Sequence, residues 1–252
     1  MARTIRYMTF NIQHGFDYLK KDGIRLSTMA DIIKRFSPDI VSLNEVRSGK
    51  KLDFDENEVY DNLLYFEQTS ELARLCGYEH YFFGRSIYIR DGEYGNAIMS
   101  RFPIDKAEVF PVPDTYKTPD THYESRTIMR VSFSFPESFD VYVSHFGVNK
   151  AEEREKAVKL MLSLTKDSKK PFIMAGDFND TPDAECLKPL YENFKDVLEA
   201  CGNKYAPSFI STSPDHRIDY IFTSRDLGCE NAIVPADAIG SDHLPVVADI
   251  IF

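Results

Sequence analysis

Gly176-Asp177-Phe178-Asn179, Arg217-Ile218-Asp219-Tyr220 and Ser241-Asp242-His243-Leu244-Pro245 each set a carboxylate beside an apolar run of the kind that forms a buried strand. Asn11 and Glu45 close two earlier runs of the same kind. If these strand ends share one face, they gather oxygen ligands for a divalent cation opposite a histidine polarised by a carboxylate. That is equipment for attacking a phosphate ester.

Each residue type has a chemical reason to be there. A hard cation such as Mg²⁺ needs only one or two carboxylates from the protein and keeps open positions for phosphate oxygens, which suits Asn11 and Glu45. Asp177 and Asn179 are alternate residues of an extended segment, so their side chains share a side while Phe178 turns to the core. An imidazole takes or gives a proton near neutral pH and is usually oriented through its second nitrogen, a place Asp219 can fill for His243. Asp242, next in sequence, would face the attacking water or the metal. His145 closes another strand and could donate to a nonbridging oxygen or to the departing group. Arg126, in Glu124-Ser125-Arg126, either supports the site electrostatically or pairs with an acid.

The elements that must hold these groups alternate along the chain, with no repeat or composition break between them. A strand covers the residues before Asn11. Thr28 is placed to cap a helix whose Met29, Ile32, Ile33 and Phe36 recur at helical spacing, and Ser37-Pro38 ends it. The strand Ile40-Val41-Ser42-Leu43 then delivers Glu45. A second helix opens at Thr69 or Ser70 and stops at Gly77. Strands are expected at 80–83, 95–100, 107–112, 128–135 and 141–144, the last ending at His145. After Asn149, Ala157, Leu160, Met161 and Leu164 form one stripe of an amphipathic helix. Strands follow at 172–175, 218–222, 229–234 and 246–251. Meanders with occasional covering helices fit two stacked sheets better than a doubly wound parallel sheet.

The chain of 252 residues is read as one domain, with 43% hydrophobic and 28% charged residues, which argues against disorder. No apolar run approaches the ~20 residues of a membrane-spanning helix. The first strand begins without a leader pattern, so a cytoplasmic protein is expected, although a leader removed upstream would leave the same start. Cys76, Cys186, Cys201 and Cys229 form no Cys-x-x-Cys pair and read as buried, reduced thiols. A net charge of −10 disfavours sequence-independent binding to long duplex DNA. Lys20-Lys21, Arg47 to Lys51, and Lys150 with Arg154 are local basic clusters that read first as solvated loop charge and second as groups that could meet an anionic substrate.

Taken in order, Thr9-Phe10-Asn11, Asn44-Glu45-Val46, Tyr94-Gly95-Asn96-Ala97-Ile98-Met99-Ser100-Arg101, Ser144-His145-Phe146, Gly176 to Asn179, Arg217 to Tyr220 and Ser241 to His243 resemble the endonuclease/exonuclease/phosphatase superfamily. Its members include apurinic endonucleases, pancreatic-type deoxyribonucleases, inositol polyphosphate phosphatases, neutral sphingomyelinases and deadenylases. The resemblance implies an α+β fold, a four-layer α/β/β/α sandwich of two mostly antiparallel mixed sheets flanked by helices. It implies Glu45 as principal Mg²⁺ ligand with Asn11 and Asp242 nearby, Mn²⁺ being an alternative ion. Asp177 and Asn179 would orient water and phosphate, and His145 would stabilise charge developing on phosphorus. His243, polarised by Asp219, would be base or phosphate ligand; whether it or Asp177 removes the proton stays open.

Asn44 stands where members often carry Gln, and the chain lacks both Trp and a long basic insertion. The substrate expected is therefore a phosphate ester, a small phosphodiester or a nucleic-acid end rather than a long duplex. The alternatives are a DNA or RNA nuclease of the same family, a calcineurin-like two-metal phosphoesterase, and a non-catalytic phosphate-binding module. The loops 47–57 and 111–123 are expected to line the cleft rim.

Overall fold

The computed structural model describes residues 2–21, 23–49, 67–89, 92–114 and 124–252. Lys50 and Lys51, and the greater part of both expected rim loops, lie outside the described residues.

Two βαβ units set the architecture. In the first, β1 (Thr4–Asn11) and β2 (Ile40–Gly49) are parallel neighbours joined through α1 (Leu26–Phe36). In the second, β7 (Phe139–His145) and β8 (Phe172–Asp177) are parallel neighbours joined through α3 (Ala151–Thr165). Every other strand pair among the described residues is antiparallel. The first sheet adds α2 (Gln68–Cys76), β3 (His80–Ile89), β4 (Gly92–Ser100), β11 (Gly228–Ile233) and β12 (Val246–Ile251), in the strand order β11-β12-β1-β2-β4-β3. The second is completed by β5 (Lys106–Pro111), β6 (Thr127–Phe133), α4 (Lys188–Asn193), β9 (Lys195–Asp196), α5 (Val197–Ala200) and β10 (Asp219–Thr223), in the order β5-β6-β7-β8-β10-β9.

One apolar core lies between the sheets, with Ile5, Tyr7, Val131, Val141, Ile173 and Val246 among its members. A second packs the first sheet against α1 and α2, and a third packs the second sheet against α3 and α4. The result is the four-layer sandwich. Strands β7, β8 and β10 are buried along their whole length, which is why they read as continuous apolar runs rather than alternating ones. No described helix is long and apolar enough to cross a membrane.

Several boundaries move. Helix α1 starts at Leu26, ahead of Thr28, because the Thr28 hydroxyl donates to Asp17 Oδ2 at 2.8 Å instead of capping a helical N–H. Helix α2 starts at Gln68, whose buried side chain joins two segments: Oε1 accepts from Arg47 N and Nε2 donates to the His14 carbonyl. Its stop at Gly77, with φ 77°, is as expected. Of the four cysteines only Cys186 is buried; all are free thiols, and Cys201 and Cys229 approach closely enough to hydrogen-bond.

The most demanding close approach is at Gly176. In register with Ser144, it holds φ +139°, and a Cβ there would fall 1.8 Å from the Ser144 carbonyl oxygen. Leading into the neighbouring strand β10, Arg217 is enclosed with no exposed side chain. It forms a bidentate pair with Asp196 at 2.8 Å, donates to the carbonyls of Lys204 and Asp219, and stacks on the Tyr220 ring. Removing one partner of such a pair strands a buried charge, whereas replacing both with apolar groups is tolerated. Asp196→Ala is expected to cost about 3–5 kcal/mol in urea unfolding, and Asp196→Leu combined with Arg217→Met to recover most of it. A double variant no better than the single one would contradict the stranded-charge explanation.

His14, half-buried after β1, is held neutral: burial, then the nearby Arg47 charge, lowers its pKa to about 3 from 6.5. Between those values the unfolded chain takes up a proton that the folded chain refuses, so stability falls as pH drops through that window. His14 has φ 46°, which asparagine tolerates well. His14→Asn should therefore show a smaller drop in melting temperature between pH 7 and pH 4 than the unsubstituted chain, measured by thermal unfolding across that range.

Candidate active site

The carboxyl ends of the two parallel pairs meet. Asn11 and Asn44 stand side by side on β1 and β2, and His145 and Asp177 stand side by side on β7 and β8. Antiparallel β10 adds Asp219 opposite Asp177, and the segment leading into β12 brings Asp242 and His243. Asn44 ties the two sheets together beneath this face. Its Nδ2 donates to Asn96 Oδ1 at 2.7 Å and to the Ser144 carbonyl at 3.1 Å, while its Oδ1 accepts from Asp177 N at 2.9 Å.

Asp177 Oδ2 is the hub. It accepts from Asn11 Nδ2 at 3.0 Å and lies 3.4 Å from His145 Nε2 and 3.6 Å from His243 Nε2. Oδ1 accepts from Asn179 N at 2.9 Å. Burial raises the Asp177 pKa to about 7; the charge on His243 opposes that rise and the charge on Asp219 adds to it. Asn179, at φ 52°, also donates from Nδ2 to the Phe146 carbonyl, and Phe178 is stacked between Phe146 and Tyr220 in the core.

The two imidazoles differ. His243 Nδ1 lies 2.8 Å from Asp219 Oδ2, which also accepts the Ser208 hydroxyl at 2.7 Å. Burial disfavours the charged form of His243, but Asp219, then Asp177, outweigh it and raise the pKa to about 10. His145 is also buried, and its pKa is pushed well down by burial, then by the charges on Arg126 and His243. Arg126 Nη1 lies 3.4 Å from His145 Nδ1. A guanidinium only donates, so Nδ1 accepts and the His145 proton sits on Nε2, facing Asp177.

Glu45 occupies an irregularity in the pairing of β2 with β4, at φ 59°, which turns its carboxylate to Asn11 Nδ2 at 3.1 Å. It also bonds Tyr94, whose pKa is pushed well up by burial, then by Glu45. Asp242 accepts from the Ser241 hydroxyl at 3.0 Å; burial raises its pKa and the neighbouring Glu45 charge adds to that. Among the described residues neither Glu45 nor Asp242 has a Lys or Arg partner in an ion pair. Two adjacent carboxylates that no Lys or Arg neutralises, with only the neighbouring His243 charge opposing them, are oxygen donors suited to a hard cation. Asp177, Asp219 and His243 also lie close enough together to ligate a metal. Asp219 and His243 are already engaged with each other, so the Glu45 and Asp242 side is the better fit for a hard cation, while Asn11 turns its Nδ2 to Glu45 and Asp177 and its Oδ1 accepts from Gln13 N.

The structure thus brings together Asn11, Glu45, His145, Asp177, Asn179, Asp219, Asp242 and His243. It does not offer Arg154 to a substrate: Arg154 clamps Asp180 at 2.8 Å and the carbonyls of Gly147 and Val148. Lys20 is exposed, 4.0 Å from Asp17. Tyr94 and Ser208 are site residues that no local pattern marked as functional. Tyr94 does stand in one of the family-like segments, while Ser208 has only its contact with Asp219 to reveal it.

The sequence profile of the Endonuclease/Exonuclease/phosphatase family matches residues 8–243. An Escherichia coli (strain K12) relative named "Uncharacterized protein YbhP" is 23% identical over 257 residues, covering 98% of this chain and 96% of that protein. A Beutenbergia cavernae structure described as an endonuclease/exonuclease/phosphatase superposes with TM-score 0.82 at 24% identity, over 98% of this chain and 71% of that one. The mannosyl-6-phosphatase of Bacteroides thetaiotaomicron gives TM-score 0.74 at 19% identity, over 98% and 100%. Truncated Caenorhabditis elegans TDP2 gives 0.68 at 17%, over 99% and 98%. The profile spans nearly all of the sequence that builds this face, and the chain belongs to the Endonuclease/Exonuclease/phosphatase family of phosphate-ester hydrolases and nucleases.

Proposed function

We propose that the protein is a Mg²⁺-dependent hydrolase of phosphate esters, in which water attacks phosphorus directly without a covalent enzyme intermediate. The observation that carries this reading is the placement of Asp177 Oδ2 between the two imidazoles and Asn11, beside the Glu45 and Asp242 carboxylates that no Lys or Arg pairs. A divalent cation held by Glu45 and Asp242, with Asn11 fixing the Glu45 carboxylate through Nδ2, would supply charge neutralisation for the phosphoryl oxygens.

The chain's own groups do the rest. Asp177 Oδ2 is positioned to take the proton of the attacking water, and the Asn179 N–H fixes the carboxylate through Oδ1. His243, held by Asp219, presents Nε2 to a phosphate oxygen. His145 presents its Nε2 proton to a second oxygen as negative charge grows there. Fixed donors aimed at that developing charge need no reorganisation during the reaction.

A phosphodiester is the form the sequence favours, and a sugar-phosphate phosphatase among the structural neighbours makes a phosphate monoester worth testing beside it. The net charge of −10 speaks against a nuclease acting on long duplex DNA. A non-catalytic phosphate binder would give saturable association without product.

With Mg²⁺ and an aryl phosphodiester, Glu45→Gln and His243→Ala are each expected to lower kcat by about 100-fold or more while thermal unfolding stays cooperative. Full turnover in either variant rejects its assigned role. Chelation with EDTA should abolish turnover and added Mg²⁺ or Mn²⁺ should restore it; activity that survives chelation overturns the metal dependence.

A further inference from the structure

Cys201 and Cys229 are brought together from the edges of different sheets. Cys229 lies on β11, the outer strand of the first sheet, opposite Ile250 of β12. Cys201 closes α5, the short helix after β9, and β9 is the outer strand of the second sheet. Three contacts join these two edges. Lys195 Nζ donates to the Leu227 carbonyl, and Asn203 Nδ2 donates to the Ala232 carbonyl at 2.9 Å. Between them in sequence, one of the two thiols hydrogen-bonds the other. Both cysteines are half-buried and pack against the apolar core between the sheets.

The other two cysteines are engaged differently. Cys76 Sγ donates to the Ala30 carbonyl at 3.7 Å, and Cys186 Sγ donates to Asp180 Oδ2 at 3.4 Å. Burial, then the neighbouring Cys201, raises the Cys229 pKa to about 11; Lys195 opposes the rise and Asp196 adds to it. The thiolate is the form that attacks a disulfide, so exchange at neutral pH runs slowly and calls for a sustained oxidant.

We propose that Cys201 and Cys229 are a modification site: given a disulfide oxidant, they close into a disulfide that cross-links the two sheets at this edge. One thiolate attacks a sulfur of the external disulfide and expels one of its thiols. The second thiolate attacks the mixed disulfide so formed, the bond between Cys201 and Cys229 closes, and the second external thiol leaves. Two electrons pass to the external disulfide, whose two sulfurs take up the two protons. The cross-link closes a loop of roughly 30 residues, and restricting the unfolded chain in this way stabilises the native sandwich. Cys229 faces Ile250 near the end of β12, whereas His243 precedes that strand, so the bond forms away from the candidate active site. The inference is independent of the hydrolase reading.

The test incubates the full chain with oxidised glutathione, then alkylates the remaining thiols after unfolding. Peptide mapping is expected to find Cys201 linked to Cys229, with Cys76 and Cys186 alkylated. The melting temperature of the linked protein should exceed that of the reduced protein by about 5–10 °C. Cys201→Ser, a near-isosteric change, should melt at the same temperature with and without the oxidant. All four cysteines recovered as free thiols, glutathione held on Cys201 or Cys229 without a link between them, or a link to Cys76 or Cys186 overturns the proposal. So does a linked protein that melts below the reduced one, because the bond would then distort the edge rather than fit it.

Discussion

Asp177 places a carboxylate that is 1% exposed on the seam where two sheets meet, and burying a charge is unfavourable by several kcal/mol unless its oxygens are met. Much of the neighbouring structure answers that constraint. Asn11 and Asn179 satisfy one oxygen each, Asn44 holds the Asp177 N–H, and two imidazoles crowd the remaining direction. Gly176 answers the same constraint: any side chain there would push the strand carrying Asp177 away from Ser144. The residues that stabilise the seam are the residues that would do the chemistry, so fold and site are not separable here.

Topology explains why those residues converge. Each sheet contains one parallel pair at its centre, and a helical crossover forces both strands of a pair to end on the same side. Packing the two sheets then juxtaposes the ends of β1 and β2 with the ends of β7 and β8. Antiparallel β10 and β12 contribute from their beginnings rather than their ends, which is why Asp219 opens its strand and His243 precedes its own. Six-residue strands suffice because only the ends carry functional groups.

Much of this was legible in the sequence because strand-end polarity is a local signal. An apolar run that stops at Asn, Glu, His or Asp announces where a polar group emerges, and the two sheets, their flanking helices and the grouping of Asn11, Glu45, His145, Asp177, Asn179, Asp219, Asp242 and His243 follow from it. Contacts between distant segments leave no such trace. Ser208 reaches Asp219 from a loop, Asn44 bridges strands of different sheets, and the Thr28 hydroxyl prefers Asp17 over its own helix. Charge alone left Arg154 open to two readings, a solvated loop group or a cation for an anionic substrate, because it says nothing about what satisfies it; three protein acceptors do, so neither reading describes it.

The site also resolves an apparent conflict between an acidic chain and an anionic substrate. A net charge of −10 repels phosphate at long range, but the Debye length of about 8 Å at physiological salt confines that repulsion. Within the cleft the sign is set by a few buried groups. His243 stays charged because Asp219 and Asp177 hold it so, while His145 stays neutral beside Arg126. One imidazole therefore contributes a charge and the other a directed proton, from the same residue type, through neighbours alone. Under the proposed function, such fixed polarity would select an anion by where its oxygens fall rather than by bulk attraction, with donors that burial has already deprived of water.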